Sequence, residues 1–241
     1  MSQSPKIFRR SAALIFVVIV VLAASAGGAA AYRAYVAWRN GSAMSYGELR
    51  RELFGMTRLR HASVVMVGDS LTAMAPWSEM TGCVRLINRG VESDSSRGVL
   101  ARIDGIIALR PNAVFLMIGA NDIRLGIADT ETAANIVAVL DRLSEAGIHA
   151  YVVPVLPVAR AFPSAADFNR NVDKLNAAIG AALAARPGVT VIDVGPEVRD
   201  ARGFLKDEFS FDGIHLRAAG YAVWLAAIEP QVKRYCRRQR D

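Results

Sequence analysis

Ser70 is the first residue whose position suggests chemistry, within the segment Gly68-Asp69-Ser70-Leu71-Thr72. A serine at the point where a strand turns into a helix lies at the helix N-terminus, where free N–H groups stabilise negative charge. Such a serine could attack a carbonyl carbon, because the same N–H groups would stabilise the oxyanion that forms. Taken alone, the segment is a weak signal and is more often a turn followed by a helix cap.

A carboxylate and an imidazole stand close together near the C-terminus, in Asp212-Gly213-Ile214-His215. Asp212 could accept a hydrogen bond from Nδ1–H of His215, which would fix the tautomer and leave Nε2 to face a serine. The chain has two other histidines, His61 and His149. Neither has an acid and a serine nearby in a similar pattern, and we assign both to surface or packing roles.

Two further polar segments could supply hydrogen-bond donors. One runs Asn88-Arg89-Gly90-Val91-Glu92-Ser93-Asp94-Ser95-Ser96, and the other is Gly119-Ala120-Asn121-Asp122. The side-chain amide of Asn121 could donate to an oxyanion, an interaction worth on the order of 3 kcal/mol in a transition state. The alternative for Asn121 is an Asx turn that caps the next helix.

The elements that must position these residues alternate along the chain. Short apolar runs predict strands, and amphipathic stretches between them predict helices. The predicted strands are 63–67, 84–87, 113–118, 150–155 and 189–194, and the predicted helices are 97–109, 131–146, 165–186 and 216–229. Continuously apolar strands that alternate with helices indicate an α/β fold whose parallel sheet is covered on both faces. All four polar segments follow a strand or lie near the C-terminus, in the order Ser, Asn, Asp, His, and ligands bind such folds at the carboxyl ends of the strands.

Over residues 63–230, the chain resembles the SGNH hydrolases, also called GDSL esterases/lipases. The resemblance is closest to the branch with the periplasmic thioesterase/lysophospholipase and the platelet-activating-factor acetylhydrolases. It rests on four motifs, which are Gly68-Asp69-Ser70-Leu71, Asn88-Arg89-Gly90-Val91, Gly119-Ala120-Asn121-Asp122, and Asp212-Gly213-Ile214-His215-Leu216 followed by Gly220-Tyr221. The family implies a flavodoxin-like three-layer α/β/α sandwich with a five-stranded parallel sheet. It also implies ester hydrolysis without a metal or another cofactor.

The resemblance assigns roles to individual residues. Ser70 corresponds to the nucleophile, His215 to the general base and acid, and Asp212 to the carboxylate that orients the imidazole. The corresponding oxyanion donors are the N–H of Ser70, the N–H of Ser93 in the second loop and the side chain of Asn121. The residues that support these motifs are Gly68, Asp69, Gly90, Gly119 and Asp122.

The second loop departs from the family pattern at Ser93. Aligned on Asn88 and Asp94, Ser93 stands where the family has a glycine. A backbone N–H needs no particular side chain, but serine adopts a positive φ less readily than glycine. This departure leaves open a non-catalytic accessory protein of the same fold. The intact set of Ser70, Asp212 and His215 favours an enzyme.

The sequence therefore predicts a serine esterase that cleaves a carboxylic ester through an acyl-enzyme. Short acyl groups, as in O-acetyl esters of glycans, are the first expected substrates. A lysophospholipase, a thioesterase or an acyltransferase with the same triad are the alternatives. The oligomeric state is not predicted.

The net charge of +7 is unevenly distributed. Residues 1–62 carry nine Lys/Arg and two Asp/Glu, and residues 231–241 carry five and one, whereas residues 63–230 carry 15 and 19. The body of the chain is thus mildly acidic, and no basic patch with interleaved aromatic residues occurs. Nucleic-acid binding is therefore not expected. Cationic ends beside an apolar segment favour a membrane surface.

An uncharged apolar stretch occupies residues 11–32 and follows a basic N-terminus, 1–10. It is long enough to span a bilayer at about 1.5 Å per residue. We expect a signal anchor, then a juxtamembrane connector at 33–62, the hydrolase domain at 63–230 and a basic tail at 231–241. The protein would then be a single-pass protein of a bacterial inner membrane with a periplasmic catalytic domain. A cleaved signal peptide and a secreted domain are the alternative.

Cys83 and Cys236 are the only cysteines. Two cysteines form neither a zinc site nor a CxxC pair, so no metal site is expected. Two separate buried thiols are the favoured interpretation. A disulfide is the alternative for an exported domain.

Overall fold

A computed structural model of the protein describes residues 44–184 and 186–236. The chain divides into two compact units, residues 1–49 and 50–241. In the first unit, the described residues contain a capping box. The N–H of Ser45 donates to Oε2 of Glu48 at 2.7 Å, and the N–H of Glu48 donates to Oγ of Ser45 at 3.2 Å. These reciprocal bonds satisfy N–H groups that the first turn of a helix leaves without partners.

Strands and helices alternate through the second unit. The strands are β1 (Val64–Gly68), β2 (Leu86–Gly90), β3 (Ala113–Met117), β4 (His149–Val152) and β5 (Val189–Val191). The α-helices are α1 (Tyr46–Gly55), α2 (Ser70–Ala73), α3 (Trp77–Thr81), α4 (Ser96–Ala101), α5 (Ile103–Ile107), α6 (Ala120–Leu125), α7 (Asp129–Glu145), α8 (Ala165–Leu183), α9 (Gly195–Val198) and α10 (Ala218–Cys236), and a 3₁₀ helix covers Asp207–Phe209. The predicted helix at 97–109 is two helices, because Arg102 leaves the helical conformation with φ −115°.

The strands form one parallel sheet in the order β2-β1-β3-β4-β5. This order confirms the predicted five-stranded flavodoxin-like sheet, in which the strand order reverses between β1 and β3. The residues that end β1, β2 and β3 pair with one another in register, as Gly68 with Gly90 and Gly68 with Met117. The loops that follow these three strands therefore meet at one edge of the sheet.

Alternate residues of each strand face two separate apolar layers. In β1, Val65 and Val67 pack with the residues of α4, α5, α7 and α8, whereas Val64 and Met66 pack with those of α3 and α10. All five residues of β1 are buried. Because successive side chains point to opposite faces, a strand buried on both faces must be apolar throughout. This arrangement confirms the predicted three-layer sandwich.

A disulfide joins Cys83 to Cys236, with their Cα atoms 5.8 Å apart. The expectation of two separate buried thiols is therefore wrong. The bond ties the end of α10 to the loop that precedes β2. Helix α10 continues to Cys236, past the predicted domain end at 230.

The predicted membrane segment, residues 11–32, lies outside the described residues, as does the basic N-terminus before it. Within 44–184 and 186–236, no helix has the length and apolarity that crossing a bilayer requires.

Candidate active site

Ser70 is the first residue of α2, directly after the end of β1. Asp69 caps this helix, with its Oδ1 accepting the N–H of Leu71 at 3.0 Å. The turn needs a glycine at position 68, because a Cβ there would lie 2.3 Å from the carbonyl oxygen of Met117 and 2.3 Å from Oγ1 of Thr72. The close approach of β3 and α2 to Gly68 thus places Ser70 at the carboxyl edge of the sheet.

Asn88 on β2 holds the far end of α2. Its side-chain NH₂ lies 2.9, 3.1 and 3.0 Å from the carbonyl oxygens of Thr72, Ala73 and Ala75, and its Oδ1 accepts the N–H of Gly90 at 2.8 Å. These carbonyls belong to the end of a four-residue helix, which leaves them without helical partners. Asn88 is therefore a positioning residue for the turn that carries Ser70. The sequence pattern indicated no role for Asn88 beyond its place in the second motif.

Gly90 is buried against the backbone of α2. A Cβ at this position would lie 2.4 Å from the backbone nitrogen of Ala73. Tyr221, the last residue of the fourth motif, donates its hydroxyl to the carbonyl oxygen of Leu71 at 2.8 Å. Both residues therefore fix the backbone around Ser70 and do not line the cavity next to it.

His215 links Ser70 and Asp212 through two hydrogen bonds. Oγ of Ser70 lies 2.9 Å from Nε2 of His215, and Nδ1 of His215 lies 2.6 Å from Oδ2 of Asp212. The other oxygen of Asp212 accepts the N–H groups of Ile214 at 3.0 Å and His215 at 2.8 Å. Partial burial would raise the pKa of Asp212, but these hydrogen bonds outweigh it and lower the pKa. Asp212 is thus held as a carboxylate that accepts from the imidazole.

The loop that carries His215 is anchored by Ser210. Its Oγ donates to the carbonyl oxygen of His215 at 2.9 Å and accepts the N–H of Gly213 at 2.8 Å. The carbonyl oxygen of Gly213 in turn accepts the N–H of Ala159 at 2.7 Å. Ser210 is buried. Nothing in the sequence distinguishes it from other serines, because its partners are backbone atoms of a fold that must form first.

A cavity of about 200 Å³ opens beside these side chains. It is lined by Asp69, Ser70, Leu71, Met74, Glu92, Ser93, Ala120, Asn121, Arg124, Phe162, Ile214 and His215. The structure therefore brings Ser70, Ser93, Asn121 and His215 to one space. Asp212 lies behind His215, on the far side of the imidazole from Ser70.

Three N–H groups at this cavity are available to an anionic oxygen. Within the described residues, the backbone N–H groups of Ser70 and Ser93 donate no hydrogen bond. One N–H of the Asn121 amide donates to the carbonyl oxygen of Asp94 at 2.9 Å, which leaves the second for another acceptor. Asn121 is not an Asx-type cap of the next helix, since its amide reaches back to the second loop.

Ser93 adopts the left-handed backbone conformation, with φ +59°. Serine in this conformation costs on the order of 1 kcal/mol, because its Cβ crowds the backbone. The loop therefore keeps a geometry suited to glycine despite the serine. Gly119, before Asn121, has φ +135°, which glycine reaches most readily.

Asp122 is fully buried and binds no atom of the cavity wall. Its carboxylate accepts the N–H and the hydroxyl of Ser96, the latter at 2.5 Å, and lies 3.4 Å from the hydroxyl of Thr132. These bonds hold the start of α4 against α6. Asp122 therefore supports the positions of the loops and takes no direct part in the site.

Of the groups at the site, Asp69 has the pKa that is shifted most from its ordinary value. Burial raises its pKa to about 7, against the opposing effect of the N–H of Leu71 and the nearby His215. The carboxylates of Asp94 and Asp122 raise the pKa further. The ordinary pKa of an aspartate, which applies to the unfolded chain, is 3.8. The folded state thus binds this proton more tightly than the unfolded state does.

We expect Asp69→Asn to stabilise the protein above pH 7. The wild-type free energy of unfolding falls as pH rises from about 4 to 7, by up to about 4 kcal/mol, because the unfolded state releases this proton first. Asparagine is neutral throughout and keeps an oxygen that can accept the N–H of Leu71. Melting temperatures at pH 5 and pH 8 check this, with the exposed Asp141→Asn as the control. An equal effect of Asp69→Asn at both pH values would contradict it.

The described residues contain no cluster of His, Cys, Asp or Glu side chains that could hold a metal ion. The arrangement that they do form is a hydroxyl, an imidazole and a carboxylate in series, facing a small cavity with three free donors. Such an arrangement is suited to acyl transfer.

Comparison with known proteins agrees with this chemistry. The sequence profile of the GDSL-like Lipase/Acylhydrolase family matches residues 66–223. The chain belongs to this family, and it is a hydrolase of ester bonds.

Among its relatives is the platelet-activating factor acetylhydrolase IB subunit alpha1 of Pongo abelii, which is 26% identical over 171 residues. That match covers 68% of this chain and 72% of the relative. A GDSL-like lipase from Bacteroides thetaiotaomicron has a similar fold, with a TM-score of 0.67, 20% identity, and coverage of 79% of this chain and 99% of the other. A protein of Streptococcus pneumonia whose structure was solved as a candidate platelet activating factor has a TM-score of 0.69 and 22% identity. The match covers 85% of this chain and 99% of the other.

Proposed function

We propose that the chain is a serine esterase in which Ser70 is the nucleophile, His215 the general base and acid, and Asp212 the orienting carboxylate. The observation that carries this proposal is the pair of hydrogen bonds in series, 2.9 Å from Ser70 Oγ to His215 Nε2 and 2.6 Å from His215 Nδ1 to Asp212 Oδ2. With Nδ1 protonated and donating to Asp212, Nε2 carries the lone pair that can accept the serine proton.

In the first half of the reaction, Ser70 Oγ attacks the carbonyl carbon of the ester as its proton moves to His215 Nε2. The tetrahedral intermediate collapses, the C–O bond to the alcohol breaks, and the alcohol leaves with the proton from Nε2. An ester between the acyl group and Ser70 remains. In the second half, a water molecule gives a proton to His215 Nε2 and attacks the carbonyl carbon of this ester. The bond from that carbon to Ser70 Oγ then breaks, Oγ takes the proton back from Nε2, and the acid leaves.

The negative oxygen of both tetrahedral intermediates would lie among the N–H groups of Ser70, Ser93 and Asn121. Donors that are fixed before the reaction stabilise developing charge without reorganising. The bond from Asn121 to the carbonyl oxygen of Asp94 fixes the amide in this way. The free backbone N–H of Ser93 supports the same role, because the donor does not depend on the side chain.

Replacement of Asn121 by alanine is expected to lower kcat by about 10²- to 10³-fold, the usual loss for one oxyanion donor. KM should change little, because the donor acts on the charge of the transition state more than on the bound ester. Initial rates with p-nitrophenyl acetate check this expectation. The exposed Asn112→Ala serves as the matched control. A loss that lies mainly in KM would argue against the assignment of Asn121.

The size of the cavity supports a short acyl group. About 200 Å³ is smaller than the roughly 300–1,000 Å³ of pockets that enclose drug-sized ligands. Leu71, Met74, Phe162 and Ile214 give it apolar walls. The relative from Pongo abelii is named an acetylhydrolase, which agrees with an acetyl group as the part transferred.

The polar residues of the cavity support an alcohol that carries hydroxyl groups. Glu92 lines the cavity, and its Oε2 has no hydrogen-bond partner among the described residues. A buried acceptor without a donor is costly, and a hydroxyl of the substrate would satisfy it. We therefore propose O-acetyl esters of a polyol or glycan as the substrate class.

A chain-length series of p-nitrophenyl esters tests the acyl preference. We expect kcat/KM to be highest for acetate and to fall from butyrate to octanoate, because longer chains do not fit the cavity. A maximum at octanoate would overturn the short-chain proposal but not the serine mechanism. Labelling of Ser70 by a fluorophosphonate, followed by peptide mapping, tests the mechanism separately, and the absence of an adduct would overturn it.

We further propose that the catalytic unit works outside the cytoplasm, tethered by residues 11–32. The disulfide between Cys83 and Cys236 supports this, since disulfides persist in oxidising compartments and are rare in the cytosol. The uncharged run in the sequence supports the tether.

A further inference from the structure

A second cavity, of about 260 Å³, lies apart from the proposed active site and shares none of its lining residues. It is lined by Arg51, Phe54, Gly55, Arg89, Arg102, Gly105 and Ile106. Three of these seven residues are arginines, and none is acidic. A small cavity with several cations in its wall and no acid is suited to an anion.

Arg89 is the residue that makes this cavity unusual. It lies on β2 and is only 8% exposed, and its guanidinium stacks over the ring of Phe54 at 4.4 Å from the centroid. Within the described residues, Arg89 forms neither an ion pair nor a side-chain hydrogen bond. Burial lowers its pKa, and the nearby cations Arg102 and Arg50 lower it further. Burying a cation without an anionic partner is costly, because the charge loses its hydration.

The other arginines around Arg89 are cations themselves and do not offset the cost of burying its charge. Nε of Arg102 donates to Oδ2 of Asp94 at 2.8 Å, and Arg51 lies 3.7 Å from Oδ1 of the same carboxylate. Arg50 donates its Nε to the carbonyl oxygen of Gly90 at 2.6 Å. Asp94 is thus the carboxylate that the ion pairs of this cluster share, in the part of the chain that the structure describes. Arg50, Arg51, Arg89 and Arg102 carry four positive charges against the one negative charge of Asp94, so the cluster beside the cavity has an excess of positive charge.

We propose that this cavity binds the phosphate group of an anion, with Arg89 as the central ligand and Arg51 and Arg102 beside it. A guanidinium presents donors in a planar fork that matches two oxygens of a phosphate. A phosphate also carries up to two negative charges at neutral pH, which the single carboxylate of Asp94 does not supply. The site is independent of the proposed esterase mechanism, because its lining includes no residue of the reacting set.

Titration calorimetry of the full-length protein with inorganic phosphate, in a non-ionic detergent and at constant ionic strength, tests the site. We expect saturable binding of one phosphate per chain. Arg89→Met and Arg51→Gln should each weaken this binding about tenfold or more, since hydrogen bonds to charged groups are strong. Arg170→Gln, which removes an exposed arginine on α8, should leave it unchanged.

Two results would overturn the proposal. One is the absence of phosphate binding by the wild type up to millimolar concentrations, and the other is an unchanged affinity in both Arg89→Met and Arg51→Gln. Melting temperatures in phosphate-free buffer show whether each variant is folded. If Arg89→Met does not fold, Arg51→Gln decides the matter, because its side chain is 41% exposed and its loss leaves no buried gap.

The source of the phosphate is tested in a second arm with mixed micelles of dodecyl phosphate, an amphiphile without a carboxylic ester. Tighter binding of dodecyl phosphate than of inorganic phosphate, again weakened by Arg89→Met, supports the site with a lipid-like head group as its ligand. Tighter binding of inorganic phosphate supports the site with a free phosphate as its ligand. Binding of dodecyl phosphate alone that does not depend on Arg89 or Arg51 contradicts it.

Discussion

Replacing Ser70 with alanine is expected to lower kcat/KM for p-nitrophenyl acetate by about 10⁴- to 10⁶-fold, the range found when a triad serine is removed. Without Oγ no acyl-enzyme can form, and His215 is left to activate water directly. The cavity and the N–H groups of Ser93 and Asn121 remain, so some rate above that in water should persist. Steady-state rates on purified protein provide the measurement.

The structure offers a matched control for this loss. Ser144 lies on the exposed face of α7, so Ser144→Ala makes the same chemical change without touching the cavity. Its kcat/KM should equal that of the wild type. If Ser70→Ala keeps more than about a tenth of the wild-type rate, a direct attack by water must be the normal route, and Ser70 would not be the nucleophile.

The elements of the sandwich could be predicted because parallel strands leave a clear pattern. Strand β3, Ala113–Met117, is apolar and buried at every position. This pattern is typical of a strand that is covered on both faces. Strand ends were less accurate. The sequence predicts a strand that continues to Val155, but the register of pairing with β3 and β5 ends at Val152.

The meeting of the proposed reacting residues could also be anticipated, since Ser70 and Asn121 follow strands whose ends must meet at one edge, and the family motif placed His215 beside them. The residues that hold this set in place could not. Asn88 and the carbonyl of Asp94 bind groups distant in sequence, and Ser210 binds backbone atoms three and five residues along its own loop, so these partners are known only once the fold is known. The anion site around Arg89 could not be predicted for a similar reason. The sequence shows only an arginine in a strand. It does not show that the side chain is buried without an anionic partner.

At Ser93 the sequence departs from the family motif, and the fold tolerates this departure. The sequence shows a serine where a glycine would be easiest, and the structure keeps the positive φ at this position. The strain is on the order of 1 kcal/mol, which a stable domain tolerates. A donor made from the backbone therefore survives a change of side chain, whereas the side-chain donor of Asn121 would not.

The disulfide is the feature that the sequence suggested least, because 153 residues separate its cysteines. Cysteine spacing cannot show proximity over such a distance, whereas helix α10 carries Cys236 back to Cys83 by packing along the sheet. Trp224, Ile228 and Val232 of this helix are all buried in the same apolar layer as Cys83. The packing of the helix, and not the local sequence, brings the two sulfur atoms together.

Removing this disulfide should lower the free energy of unfolding by about 2–5 kcal/mol, the second large effect that we expect. A cross-link that closes a loop of this length removes much of the conformational entropy of the unfolded chain, and the loop-entropy relation places such a bond at the upper end of that range. We expect Cys83→Ser/Cys236→Ser to unfold at lower urea concentration than the oxidised wild type.

The reduced wild type is the matched control for this double variant. Dithiothreitol should shift the urea midpoint of the wild type toward that of Cys83→Ser/Cys236→Ser, while the variant itself should not respond to the reductant. Esterase activity in the absence of urea should remain in both proteins, because neither sulfur atom lies at the proposed active-site cavity. Equal midpoints for oxidised and reduced wild type would mean that the apolar packing of α10 alone holds the C-terminus in place. The bond would then contribute nothing measurable, against the loop-entropy argument.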